Sequence, residues 1–249
     1  MTEPVLIPAG GGEIVGDSAD RRVEILSDRE ALAATWSRFA PGREGADLHV
    51  HRRHSDLFYV LEGELTLRLG PEDRAVPLPA ATLARVPPGV VHGFRNGGDA
   101  EVRYLNFHAP GQRFADYLRA LRQGRSFAYD QYPPPPDGGR SPADAVVGAA
   151  PLAADRPGLR VALLADVQEI AIAEVRPEPG AASEQPYVER RHLESLYVLE
   201  GALTLTAGER ELPAAAGAWL QVPPSVPYRL AFPAERPVRF LEVRTAGGA

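Results

Sequence analysis

The chain has 249 residues, a formal net charge of −6, 44% hydrophobic residues and no cysteine. The acidic balance argues against a nucleic-acid binder, which needs clustered Lys and Arg for phosphates, and the missing cysteines exclude disulfides, thiolate metal sites and a cysteine nucleophile. No apolar run reaches the length of a membrane-spanning helix, and residues 1–12 lack a basic stretch followed by an apolar core, so neither a membrane nor export is expected and the cytoplasm is the default location.

With 25 Pro and 24 Gly set between short apolar segments, the chain reads as all-β with many turns. In chain order, the first informative segment is His49-Val50-His51, read as a strand. Alternate side chains of a strand face the same side, so His49 and His51 share a face, about 7 Å apart along it. A tight turn follows, and Asp56 opens the returning strand. Residues 57–69 are rich in β-branched, aromatic and Leu residues and are broken by a Glu-Gly turn. Val86-Pro87-Pro88-Gly89 is a turn leading to His92 at the start of another strand. The segment from Val102 to His108 is a further strand of unknown register. Residues 114–123 have helical spacing of Phe114, Tyr117, Leu118 and Leu121. Then come Tyr132, four prolines and Asp137-Gly138-Gly139, a composition of linkers and surface loops.

Beyond that point the chain repeats itself at an offset of 138 residues. Tyr59 to Gly63 falls on Tyr197 to Gly201, Arg52-Arg53-His54 on Arg190-Arg191-His192, and, after a two-residue deletion, Val86-Pro87-Pro88 on Val222-Pro223-Pro224. The chain is a duplicated unit, divided as 1–125, a linker over 126–154, and 155–249. The second copy replaces His49 by Tyr187, His51 by Glu189, Asp56 by Glu194 and His92 by Tyr228. It keeps the fold-forming residues and loses the histidines, so the histidines serve something other than the fold. His54 recurs as His192 and is read, with its Arg pair, as a turn or interface residue.

Three imidazoles, His49, His51 and His92, with the Asp56 carboxylate, form a donor set with open positions suited to one divalent transition metal, Fe, Mn, Ni, Zn, Co or Cu. The competing reading is three polar residues in a half-buried barrel mouth, with Asp56 facing solvent. Strand parity puts Phe58 and Val60 on the face of Asp56, and Phe94 on that of His92. These would wall an apolar pocket, or be plain barrel core; His108 would lie near the metal or simply close its strand.

His49-Val50-His51, four residues, Asp56, six residues and Gly63 resemble the first cupin motif. Ala81, five residues, Pro87-Pro88-Gly89, two residues, His92, three residues and Asn96 resemble the second. Asp56 stands where the family usually has Glu, and Ala81 where it has Gly, a departure expected to be minor. The resemblance covers nearly the whole chain and implies a double-stranded β-helix, or jelly-roll barrel, in each half, as in quercetin-dioxygenase-like bicupins, with metal in the first barrel only. Open coordination positions, imidazole and carboxylate ligands and an apolar pocket favour a dioxygenase-like oxidoreductase for a small aromatic or otherwise apolar molecule. A metal-containing binding protein for a sugar or other small molecule, and an isomerase or decarboxylase of a small oxygenated acid, remain as alternatives. The last would want Arg or Lys beside the metal, and parity places none there. Pairing of whole chains into a homodimer stays open.

Overall fold

The computed structural model describes residues 3–148, 153–156, 158–183 and 185–246. Its first half contains β1 (Val5–Ile7), β2 (Glu13–Ser18), β3 (Arg21–Asp28), β4 (Ala33–Phe39), β5 (Ser55–Glu62), β6 (Glu64–Leu69), β7 (Arg74–Pro79), β8 (Leu83–Val86), β9 (His92–Arg95) and β10 (Val102–Ala109). A helix, α1 (Phe114–Arg122), a 3-10 turn at Pro142–Asp144 and β11 (Val146–Gly148) follow. The second copy contains β12 (Ala153–Arg156), β13 (Leu159–Asp166), β14 (Ile170–Pro177), β15 (His192–Glu200), β16 (Ala202–Ala207), β17 (Arg210–Ala215), β18 (Trp219–Val222), β19 (Arg229–Ala231) and β20 (Arg239–Ala246). No helix among the described residues is long and apolar enough to cross a membrane.

Each copy is a jelly roll of two antiparallel sheets. In the first copy the large sheet runs β11-β8-β5-β10-β4-β3-β2 and the small one β7-β6-β9. In the second the orders are β1-β18-β15-β20-β14-β13-β12 and β17-β16-β19. The core lies between the sheets because each strand alternates. On β6, Leu65, Leu67 and Leu69 are buried while the intervening residues are exposed or half-buried, and they pack with Val23, Ile25, Phe58 and Val60 of the large sheet.

The chain divides into one compact unit of Glu13–Ala149 and another made of Met1–Gly12 with Ala150–Ala249. This differs from the division expected from sequence in two respects. β1 leaves the first copy and pairs with β18, Leu6 opposite Leu220. β11, placed in the linker from its composition, pairs with β8, Val147 opposite Ala84. Each large sheet is thus finished by the short strand that precedes the other copy, which no local pattern announces. Residues 149–152, within the expected linker, lie outside the described residues.

Two turn positions show what the backbone demands. Gly63 ends β5 with φ +76°, and a Cβ there would sit 2.4 Å from the Glu101 carbonyl oxygen, so only glycine fits. Ala81, expected to be a minor departure, also has a left-handed backbone (φ 61°). The equivalent residue of the second copy is Gly217, φ +85°. A Cβ in this region costs about 1–2 kcal/mol, part of which glycine returns through its freer unfolded chain. Ala81→Gly is therefore expected to stabilise the protein by about 0.5–1 kcal/mol, read as a raised melting temperature; an unchanged or lower one would show that the turn carries no strain.

Candidate metal centre

The two histidines of the first motif lie just before β5, in a short bridge rather than a long strand. His49 exchanges both backbone hydrogen bonds with His92 (2.8 and 2.9 Å), and Val50 does so with Tyr132 (2.9 and 3.0 Å). Alternation does the rest: Val50 turns away, and His49 and His51 face inward. Asp56 is the second residue of β5, flanked by Val86 on β8 and His108 on β10. All four side chains are buried, none more than 5% exposed.

The ring nitrogens are sorted by their partners. Nδ1 of His49 donates to the Asp47 carbonyl (2.6 Å), Nδ1 of His51 to the Asp130 carbonyl (2.5 Å) and Nδ1 of His92 to the Val90 carbonyl (3.0 Å). A carbonyl can only accept, so each Nδ1 carries the proton and each Nε2 presents a lone pair. These Nε2 atoms converge: His49 and His51 are 3.2 Å apart, and Asp56 Oδ2 stands 3.3 Å from His92 and 3.8 Å from His51. Lone pairs facing one another at such distances repel unless a cation lies between them. Imidazoles held by backbone carbonyls are also the usual outer support of metal ligands. The donors of His49, His51, Asp56 and His92 all lie within 4.8 Å of one another. The set fits a divalent transition ion.

Electrostatics agree. Burial, reinforced by the neighbouring His92 and His51, lowers the His49 pKa to about 3. Burial pushes the Asp56 carboxyl up, but the surrounding imidazoles, His108 foremost and then His51 and His92, outweigh it and hold it well below the usual carboxylate range. Asp56 is oriented by Asn106, whose Nδ2 donates to its Oδ1 and to the Leu57 carbonyl. That leaves Oδ2 for the cluster.

A second layer was not visible in the sequence. His54, read as a turn or interface residue, is 1% exposed and donates from Nδ1 to Asp130 Oδ2 (2.9 Å). Burial, then the nearby His51, lowers its pKa to about 2. Asp130, from the segment read as linker, also accepts the backbone N–H groups of Arg52 (3.2 Å) and Arg53 (2.8 Å), so it closes the turn between His51 and Asp56. In the second copy the turn is closed by Glu189, which accepts from the N–H groups of Arg191 and His192. The residue that replaces His51 thus does Asp130's work. Tyr187 and Tyr228 keep the backbone bridge of His49 and His92. The metal-like groups found among the described residues are all in the first copy.

A cavity of about 290 Å³ opens beside the cluster. Phe94 and His108 line it, with Phe39, Tyr104 and Tyr129. Phe58 and Val60, expected as pocket wall, do not: they face inward as parity requires but sit one layer deeper, in the core, with the Phe58 ring 5.0 Å from that of Phe94. Arg21 also lines the cavity, a basic residue that parity counted from His49 does not place. It lies on β3, far from the motifs in sequence, and its buried Nε has no hydrogen-bond partner among the described residues.

The model of the cupin domain family matches residues 35–108 and again residues 173–244. The chain belongs to the cupin family, as a bicupin. No curated protein matches it. Among solved structures, a protein described as glyoxylate-induced from Pseudomonas aeruginosa superposes with a TM-score of 0.71 at 16% identity, over 100% of this chain and 91% of that one. AerE from Microcystis aeruginosa gives 0.68 at 15%, over 96% and 97%. The E162A mutant of oxalate decarboxylase from Bacillus subtilis gives 0.64 at 18%, over 100% and 78%. At these identities the likeness is one of fold, and the fold is shared by cupins of different activities.

Proposed function

We propose that this cupin is a metal-dependent, dioxygenase-like enzyme acting on a small aromatic substrate, with His49, His51, Asp56 and His92 as the metal ligands. The observation that carries this reading is the cavity itself: aromatic walls with the imidazole–carboxylate cluster at one side. A transition ion held by this donor set supplies Lewis acidity and, for iron or manganese, one-electron redox chemistry. The chain's own groups do the positioning. Phe39, Phe94 and Tyr104, with ring centroids 5.4–6.1 Å apart, offer faces and edges for a substrate ring and exclude water. Asn106 fixes Asp56, and the three backbone carbonyls fix the imidazoles.

Arg21 supports a second reading, decarboxylation or isomerisation of a small oxygenated acid, since a guanidinium among the cavity's lining residues suits a carboxylate. One assay separates the two. Metal-loaded protein given phenols and aromatic carboxylic acids is expected to consume O₂. Arg21→Met should raise KM for the carboxylates by about 10–100-fold, the worth of one charged hydrogen-bonded contact, and leave uncharged phenols unaffected. Release of CO₂ without O₂ uptake would replace the oxygenase by the decarboxylase; neither gas changing while the ligand binds would make the protein a metal-containing binder.

A further inference from the structure

Behind the cluster, three more donor atoms meet. His54 Nε2 and His108 Nδ1 are 3.0 Å apart, and the Tyr129 hydroxyl lies 2.9 Å from the first and 2.8 Å from the second. Each ring's other nitrogen is committed. His54 Nδ1 donates to the Asp130 carboxylate. His108 Nε2 faces Asn106 Oδ1 at 2.9 Å, and the amide cannot be turned round, because its Nδ2 must face the Asp56 carboxylate and the Leu57 carbonyl, which only accept. His108 therefore donates from Nε2. Two buried lone pairs are left pointing at each other, with the single hydroxyl proton of Tyr129 to share.

We propose that His54 Nε2, His108 Nδ1 and the Tyr129 oxygen form a second cation site, for a divalent transition metal held by two neutral imidazoles and a phenolate. Donors about 2.0–2.1 Å from an ion and at right angles to each other are about 2.9 Å apart, which is the spacing found here. Three donors mutually at right angles form one face of an octahedron, which suits an octahedral or square-pyramidal ion such as Cu(II), Ni(II) or Co(II) better than a tetrahedral one. The surroundings complete the argument. Asp130 behind His54 is the carboxylate–histidine pairing that supports metal ligands, and with the Tyr129 phenolate it offsets the charge of the ion. Tyr129 lines the cavity, which supplies a route in. Binding releases the Tyr129 hydroxyl proton to the buffer, one per ion. In the second copy Arg244 stands where His108 does in the first, opposite Glu194 as His108 is opposite Asp56.

The test is a titration of metal-stripped full-length protein with Cu(II), following absorbance and protons released. Wild type is expected to take up a copper ion that brings a phenolate-to-copper charge-transfer band in the visible, with one proton released. Tyr129→Phe keeps the ring stacked 4.9 Å from Tyr117, so the variant should remain folded by circular dichroism, with a lowered metal-free melting temperature from the lost hydroxyl, while the band disappears and one equivalent is lost. His108→Gln should weaken this equivalent at least 10-fold. His92→Ala, which cripples the other cluster, should keep the band. Absence of the band from wild type at every loading, or its survival in Tyr129→Phe, would overturn the site.

Discussion

Metal-free protein moved from pH 7 to pH 5 is expected to lose about 4–6 kcal/mol of stability in the unit that carries the histidines. Burial lowers the pKa values of His49 to about 3 and of His54 to about 2, and holds His108 well below its ordinary value. Unfolding returns each ring to a pKa near 6.5. Between pH 6.5 and about 3 the unfolded chain therefore binds more protons than the folded one, and stability falls as the pH falls. Each ring contributes about 1.4 kcal/mol per pH unit across that window. Asp56, lowered in the folded state, adds its own loss in the same direction below about pH 4. The second copy responds with the opposite sign. Burial, then the adjacent Glu242 carboxylate, pushes Glu194 up to about 8. Its unfolded value is about 4.3, so stability is lost as the pH rises from there towards 8 and regained on acidification. Hydrogen exchange, corrected for its intrinsic pH dependence, should show protection falling at pH 5 in residues 13–148 and holding or rising in the other unit. Equal protection of the first unit at both pH values would mean that its imidazoles are not held neutral by burial.

Asp130→Ala should be strongly destabilising although the residue lies outside the His49, His51, Asp56 and His92 cluster. It removes the acceptor of two backbone N–H groups and of His54, all buried or partly buried. Buried donors left without a partner cost about 1–3 kcal/mol each, so a loss of about 3–5 kcal/mol is expected. Freed from its anchor, the segment also stops presenting the Asp130 carbonyl to His51 Nδ1, and metal affinity at the His49, His51, Asp56 and His92 cluster should fall about 10–100-fold. Asp130→Asn keeps an acceptor and should lose about half as much stability. Chemical denaturation and competition with a metal indicator measure the two effects; an Asp130→Ala protein as stable as wild type would show that the turn is held by other groups. A chain ending at residue 125 lacks Asp130 and is expected not to assemble the centre.

What was legible in the sequence was what local geometry encodes. The alternation of His49 and His51, the return of the chain at Asp56 and the turn before His92 are short-range features, and the second copy showed which residues the fold does not need. The register of β10 was not legible, because it is set by pairing with β4 and β5, where Asn106 falls opposite Phe58 and His108 opposite Asp56. Asp130 and Tyr129 were hidden for a different reason. They lie in a Pro- and Gly-rich stretch whose composition reads as a spacer, yet Val50 pairs with Tyr132 and draws the segment over the cluster. Arg21 reaches the cavity from β3, separated from β5 by β10 and β4 in the large sheet, and parity counted from His49 cannot place it. Phe58 and Val60 show the limit of parity itself: it decides the face of a strand, not the depth. The expected turn role of His54 rested on its repetition as His192, but Asp130 holds the His54 ring inside, whereas His192 stays half-exposed beside Glu189 (3.1 Å).

The most direct test is the metal content of purified wild-type protein beside His51→Ala and His92→Ala, after reconstitution with each candidate divalent ion and removal of loosely held metal. One ion held by the His49, His51, Asp56 and His92 cluster predicts that each variant retains one equivalent fewer than wild type while remaining folded by circular dichroism. Equal metal content in all three proteins, or none in wild type after reconstitution, would contradict it.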